Sequence, residues 1–137
     1  MKYVLSFICL AISLAGCKTT TPAGGKTDSK TWVVTLMDKQ ANPITADGSK
    51  LTLKLNDDHV VTGFDGCNEF TGKFQTDKNT ITFSGFLSTQ RACPDNKLSA
   101  LYMDLLTRSN GYSITQSKLI LFINKKAVLE FGPQNGI

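Results

Sequence analysis

The chain has 137 residues, with Lys+Arg 15, Asp+Glu 11, His 1 and Cys 4, and a formal net charge of +4. A hydrophobic share of 41% excludes a disordered chain, and the length fits one domain with a core of its own. No run of Lys/Arg marks a nucleic-acid patch, so no nucleic-acid partner is expected, and a single His excludes His-rich metal sites.

The chain begins with an address. Met1-Lys2 is a short positive start, and residues 3–16 carry no charge. As a helix that run rises about 21 Å, short of a hydrocarbon core of about 30 Å, so it reads as the apolar region of a signal peptide over residues 1–16. It ends Leu14-Ala15-Gly16-Cys17. Small residues before a cysteine at this place resemble the bacterial lipobox. The resemblance implies cleavage before Cys17, a lipidated Cys17 thiol and an acylated new N-terminus carrying palmitate-type chains. An ordinary secretory signal with a chance cysteine is the alternative. Several acyl chains on one residue anchor firmly, at about 0.8 kcal/mol per buried methylene. Lys18, not Asp, follows the cysteine. By enterobacterial-type sorting, that points to the outer membrane, facing the periplasm.

Residues 18–30 hold Thr, Gly, Pro, Ser and Lys and no large apolar side chain. They read as a flexible tether with a span of about 20 Å. The globular domain is expected over residues 31–132, with a short tail over 133–137. Residues 32–36 are β-rich, and Asn42-Pro43 marks an irregular connection. Residues 50–56 alternate, with Leu51, Leu53 and Leu55 pointing inwards. After a turn at Asn56-Asp57-Asp58, residues 59–64 return as the second arm of a hairpin. Residues 69–75 place Phe70 and Phe74 on one strand face, and residues 80–84 form a fifth strand. The period then switches. Leu98, Leu101, Tyr102, Leu105 and Leu106 make a helical stripe of about three turns. Asp95 or Asn96 is the expected cap, after Pro94, and Asn110-Gly111 the stop. Strands at 112–115, 118–123 and 127–131 complete the chain. The fold class is therefore α+β: a curved antiparallel sheet or partial β-barrel of about seven or eight short strands, with one helix inserted after the fifth strand and plugging an open side.

One constellation stands out. Residues 61–74 read VTGFDGCNEFTGKF, and residues 87–93 read LSTQRAC. This order strongly resembles the META-domain family, which includes a heat-inducible bacterial lipoprotein. The resemblance rests on Trp32 in the first strand, Gly66-Cys67-Asn68, Phe70, Gly72, Thr89 and Ala92-Cys93, with Arg91 in place of the usual methionine. It covers about a hundred residues, the whole globular part. It implies a Cys67–Cys93 disulfide, a secreted or periplasmic setting, loose ties to heat shock, antibiotic tolerance, motility and virulence, and no enzymatic activity. The residues themselves support the bridge, because two cysteines beside turn-formers remain in an oxidising space once Cys9 leaves with the signal and Cys17 takes lipid. The loop would contribute about 3.5 kcal/mol by chain entropy. A metal-thiolate pair or a redox dithiol is the rival reading, although CxxC spacing is absent and one His cannot complete a zinc site without carboxylates.

Other candidates have bland readings. Gly63, Gly66 and Gly72 fit strand bends and a bulge rather than an anion loop. His59 reads as an exposed or turn-packing side chain, and Asp65 and Glu69 as solvated loop carboxylates. Arg91 reads as a surface arginine. Phe70, Phe74, Phe83, Phe86, Phe122 and Phe131 read as plain core, with a ligand pocket as the alternative. The expectation is a non-enzymatic, monomeric, lipid-anchored cell-envelope domain, without metal or cofactor, acting in envelope stress or antibiotic tolerance through a protein partner. The alternative is a carrier of a small apolar ligand inside the partial barrel.

Overall fold

Alternating apolar residues set most of the sheet, and one run of helical period sets the lid. The structure is a computed structural model and describes residues 30–45, 48–93 and 97–134. The elements are β1 (Thr31–Met37), β2 (Gln40–Ala41), β3 (Thr52–Leu55), β4 (Val60–Phe64), β5 (Glu69–Asp77), β6 (Thr80–Ser88), α1 (Lys97–Arg108), β7 (Gly111–Ile114), β8 (Leu119–Ile123) and β9 (Lys126–Pro133). All pairings are antiparallel, in the order β6-β5-β4-β3-β1-β9-β8-β7, with β2 added to β1. The sheet is curved but open. Its edge strands β6 and β7 do not pair as a ladder, and the turn before β6 meets β7 where the Tyr112 N–H donates to the Asn79 carbonyl at 2.9 Å.

The α+β reading and the inserted helix are borne out, with one shift in the count. The helix follows the sixth strand, because Gln40 and Ala41 pair with Met37 and Leu36 as a two-residue strand. Two residues are too few to leave an alternating signature. Inside α1, Ser99, Tyr102, Leu105 and Leu106 are buried, while Leu101 of the expected stripe is 41% exposed. The helix lies against β6, β8 and β9 and covers the open side. Its expected cap at Pro94 to Asn96 lies outside the described residues. At its other end the Ser109 hydroxyl donates to the Leu105 carbonyl at 2.7 Å, and the Asn110 N–H to the Phe122 carbonyl at 2.9 Å.

The sheet bends at a bulge. Thr71 faces Leu87 and Lys73 faces Ser84, so β6 carries one residue more than β5 between them. Gly85, with φ +63°, takes the left-handed conformation there. The bulged glycine is thus on β6 and is none of Gly63, Gly66 and Gly72, the three glycines read as strand bends and a bulge, and Gly72 plays the complementary part. A Cβ at Gly72 would stand 2.8 Å from the Phe86 ring, and one at Gly63 would stand 2.5 Å from the Phe70 ring. Two missing side chains therefore make room for two aromatic ones.

Those rings join a chain through the core. Phe83 stacks on Phe86 with centroids 6.1 Å apart, Phe86 meets Phe70 edge-on at 5.6 Å, Phe70 meets Tyr102 at 6.1 Å, and Tyr102 meets Phe131 at 6.5 Å. Such offset and edge contacts are the favoured aromatic geometries. Trp32, Phe74, Leu51, Leu53, Leu55 and Leu121 fill the remaining interior with almost no exposure. Phe122 lies outside this cluster and lines a surface groove instead. The filled interior speaks against a ligand carried inside the barrel.

Candidate functional site

The constellation that marked the sequence folds into one corner, where the β4–β5 turn meets the segment that follows β6. Asp65 builds the turn. One of its carboxylate oxygens accepts from the Cys67 N–H at 2.8 Å and the Asn68 N–H at 2.6 Å, while its own N–H donates to the Asn68 carbonyl at 2.9 Å. Aspartate is suited to this because its short side chain reaches amides two and three residues on. Gly66 takes φ +96°, and a Cβ there would stand 2.5 Å from the Thr45 methyl group. Only glycine meets both demands without displacing Thr45.

Asn68 then ties the turn to the second cysteine segment. Its side-chain oxygen accepts from the Arg91 N–H at 2.7 Å and from the Thr89 hydroxyl at 3.1 Å. The Thr89 hydroxyl oxygen accepts in turn from the Glu69 N–H at 3.2 Å, and the Thr89 N–H donates to the Glu69 carbonyl at 3.0 Å. Cys67 and Cys93 are joined in a disulfide, with Cα atoms 6.1 Å apart and a sequence separation of 26. This pairing excludes thiolate ligands or a free dithiol in the structure described. Arg91 is exposed, as a surface arginine should be, and Ala92 beside it is exposed too.

The expectation for Asp65 is corrected. It is 4% exposed and holds a turn, not solvated, whereas Glu69 is exposed as expected. The missed signal is the sequence Asp-Gly-x-Asn, in which an acceptor, a left-handed residue and a second amide-bearing side chain stand in turn order. Sequence reading placed Tyr102 on the buried helical stripe, where it lies, but missed the bond its hydroxyl makes. Its hydroxyl donates to the Thr52 carbonyl at 2.9 Å. Burial, and then the charge of Asp65, hold its pKa well above the ordinary tyrosine value. His59 is exposed at the hairpin turn, with φ +62°, and its ring lies 5.7 Å from Phe74.

The remaining motif residues support this corner from below or lie apart from it. Phe70 packs beneath the turn strand, and Gly72 admits Phe86. Trp32 is wholly buried, its indole Nε1 has no hydrogen-bond partner among the described residues, and the Lys30 ammonium sits 5.0 Å from its ring centroid. Cys17 lies outside the described residues. Among the described residues no group of three or more His, Cys, Asp or Glu is placed to hold a metal.

The fold and this corner define a disulfide-braced, half-barrel domain. The META domain family matches residues 26–136, and the chain belongs to that family. Solved structures share its fold at low identity. A solution structure of a protein from Burkholderia xenovorans is 19% identical, covers 99% of this chain and 100% of its own, and superposes with a TM-score of 0.66. A second solution structure is 20% identical over 82% of this chain and 93% of the other, with a TM-score of 0.61. A crystal structure of a DUF4847 family protein from Bacteroides vulgatus is 16% identical over 82% and 97%, with a TM-score of 0.61. No curated protein matches the chain.

Proposed function

We propose that the protein is a non-enzymatic, lipid-anchored domain of the cell envelope, held at the outer membrane through Cys17 and facing the periplasm. It presents its folded surface to a protein partner in envelope stress or antibiotic tolerance. The observation that supports this reading best is the use of the polar groups at the motif corner. Asp65, Asn68 and Thr89 direct their oxygens to backbone amides or to one another, so they brace two loops rather than face a substrate. The bridge between those loops suits an oxidising compartment. The lipobox-like Leu14-Ala15-Gly16-Cys17 supports the anchor.

Labelling of cells with a clickable palmitate analogue tests the anchor. The native chain is expected to take up label and to float with outer-membrane fractions, and the Cys17→Ala chain to do neither. Equal labelling of both would overturn the anchor. Survival of a deletion strain under heat or antibiotic, restored by the native chain, tests the role. Unchanged survival on deletion would overturn it.

A further inference from the structure

Starting beside the braced corner, where Glu69 and Thr89 line its near end, a trough crosses the outer face of the sheet. One groove, of about 640 Å³, is lined by Lys54, Thr62, Phe64, Thr71 and Leu87, with Thr52 at its edge. A second, of about 360 Å³, lies between Val33, Ile44, Lys50 and Pro133, and Thr52 lines it as well. Strand register makes the two continuous. Thr31, Lys54, Thr62, Thr71 and Leu87 stand opposite one another across β1, β3, β4, β5 and β6, and Thr52 stands between Val33 and Phe64 in the next row. From β6 to β9 is five strand spacings, about 24 Å, the length of roughly seven residues of extended chain.

The chemistry of the trough is as specific as its length. Leu87 is 72% exposed at one end and Ile44 56% exposed at the other, with the half-buried Phe64 between them. The hydroxyls of Thr31, Thr62 and Thr71 have no hydrogen-bond partner among the described residues, so they are available to a peptide backbone. Lys50 and Lys54 have no ion-pair partner among the described residues, and Glu69 is the one carboxylate lining either groove. A flat lipid surface would meet the rims and leave the hydroxyl floor unused. We infer that this trough takes an extended segment of a partner protein, about seven residues long, acidic and carrying apolar side chains for Phe64, Leu87 and Ile44. The inference rests on the partner-binding reading and adds where the partner sits and what its chemistry is.

The test uses the full chain carrying Cys17→Ala, immobilised and panned against a phage library of random peptides of about twelve residues, somewhat longer than the trough. Recovered peptides are expected to be enriched in Asp and Glu over the library. The best of them, made synthetically, is expected to bind about tenfold more weakly to Lys54→Glu and to Leu87→Asp, and equally to Lys125→Glu in the distant β8–β9 turn. Unchanged thermal melting of each variant guards against misfolding. Peptides without acidic enrichment, or binding indifferent to both trough substitutions, would overturn the inference. So would flotation on phosphatidylethanolamine–phosphatidylglycerol vesicles, in roughly a 3:1 ratio, that those substitutions abolish while no peptide is recovered. Photo-crosslinking in cells separates the two readings. Adducts from position 113 but not from 62 or 87 leave a partner and remove the trough, whereas adducts from none remove the partner itself.

Discussion

The braced corner and the outer trough are built from the same small polar residues on neighbouring strands, and they use them in opposite ways. In the corner, Asp65, Asn68 and Thr89 spend their oxygens on amides of the chain itself. In the trough, Thr62, Thr71 and Lys54 find no partner among the described residues. The difference is one of reach. A side chain at a turn lies near amides that no ladder has claimed, so it pairs locally. Thr62 and Thr71 sit over amides already paired with the next strand, so their hydroxyls are left for solvent or a ligand, whereas Thr52 in the same trough accepts from the Phe64 N–H at 3.1 Å. The corner holds the fold, and the trough is spare recognition capacity.

The largest expected effect belongs to the corner. Replacing both Cys67 and Cys93 by Ser should lower stability by about 3.5 kcal/mol in urea unfolding, from the closed loop of 26 positions. The folded circular-dichroism spectrum should persist, because Asn68 still joins the two segments. A variant unfolded without urea would show that the side-chain bonds do not hold the corner alone. Asp65→Ala comes next, at about 2–3 kcal/mol, since it strips the acceptor from the Cys67 and Asn68 amides. Asp65→Asn keeps an acceptor oxygen and should recover part of the loss. A cost below about 0.5 kcal/mol for Asp65→Ala would put the corner on a par with the trough.

How much of this was legible varies along the chain for physical reasons. Leu51, Leu53 and Leu55 announced β3, because alternate burial leaves a period of two. The motif cysteines announced their bridge once the other two were set aside. The two-residue β2 and the bulge at Gly85 were not legible, because each is set by pairing with a distant strand rather than by its own pattern. Asp65 was misread because exposure was judged from residue type, whereas two amides within reach make burial of a carboxylate tolerable. The trough was invisible in the sequence. Its floor residues are far apart in the chain and meet only through register.

Tyr102 lies beneath both regions and links them to pH. Tyr102→Phe removes the hydroxyl bond to the Thr52 carbonyl and should cost about 1 kcal/mol at neutral pH. The folded state holds the phenol protonated to a higher pH than the unfolded chain, whose tyrosine titrates near 10.0. Its contribution is therefore fully present below about pH 10 and falls as pH rises towards the folded pKa. Native and Tyr102→Phe stabilities should run parallel below that pH and converge above it. Parallel curves throughout would show that the phenol is not held protonated.

The smallest effects give the sharpest contrast, because one chemical change can be made in both regions. Thr89→Val and Thr62→Val each replace a hydroxyl by a methyl group of similar shape and keep a β-branched side chain, so strand propensity and packing change little. At position 89 the change removes an acceptor from the Glu69 amide and a donor to the Asn68 oxygen, for an expected loss of about 1 kcal/mol. At position 62 the hydroxyl has no partner among the described residues to lose, so stability should stay within about 0.5 kcal/mol of the native chain. Binding of the trough-selected peptide should show the reverse order, weakened more by Thr62→Val than by Thr89→Val, because Thr89 also lines the groove but its hydroxyl is already held by Asn68 and the Glu69 amide. If both variants lost the same stability, threonine on this sheet would matter only as a β-former, and the division between a bracing corner and an offering face would fall.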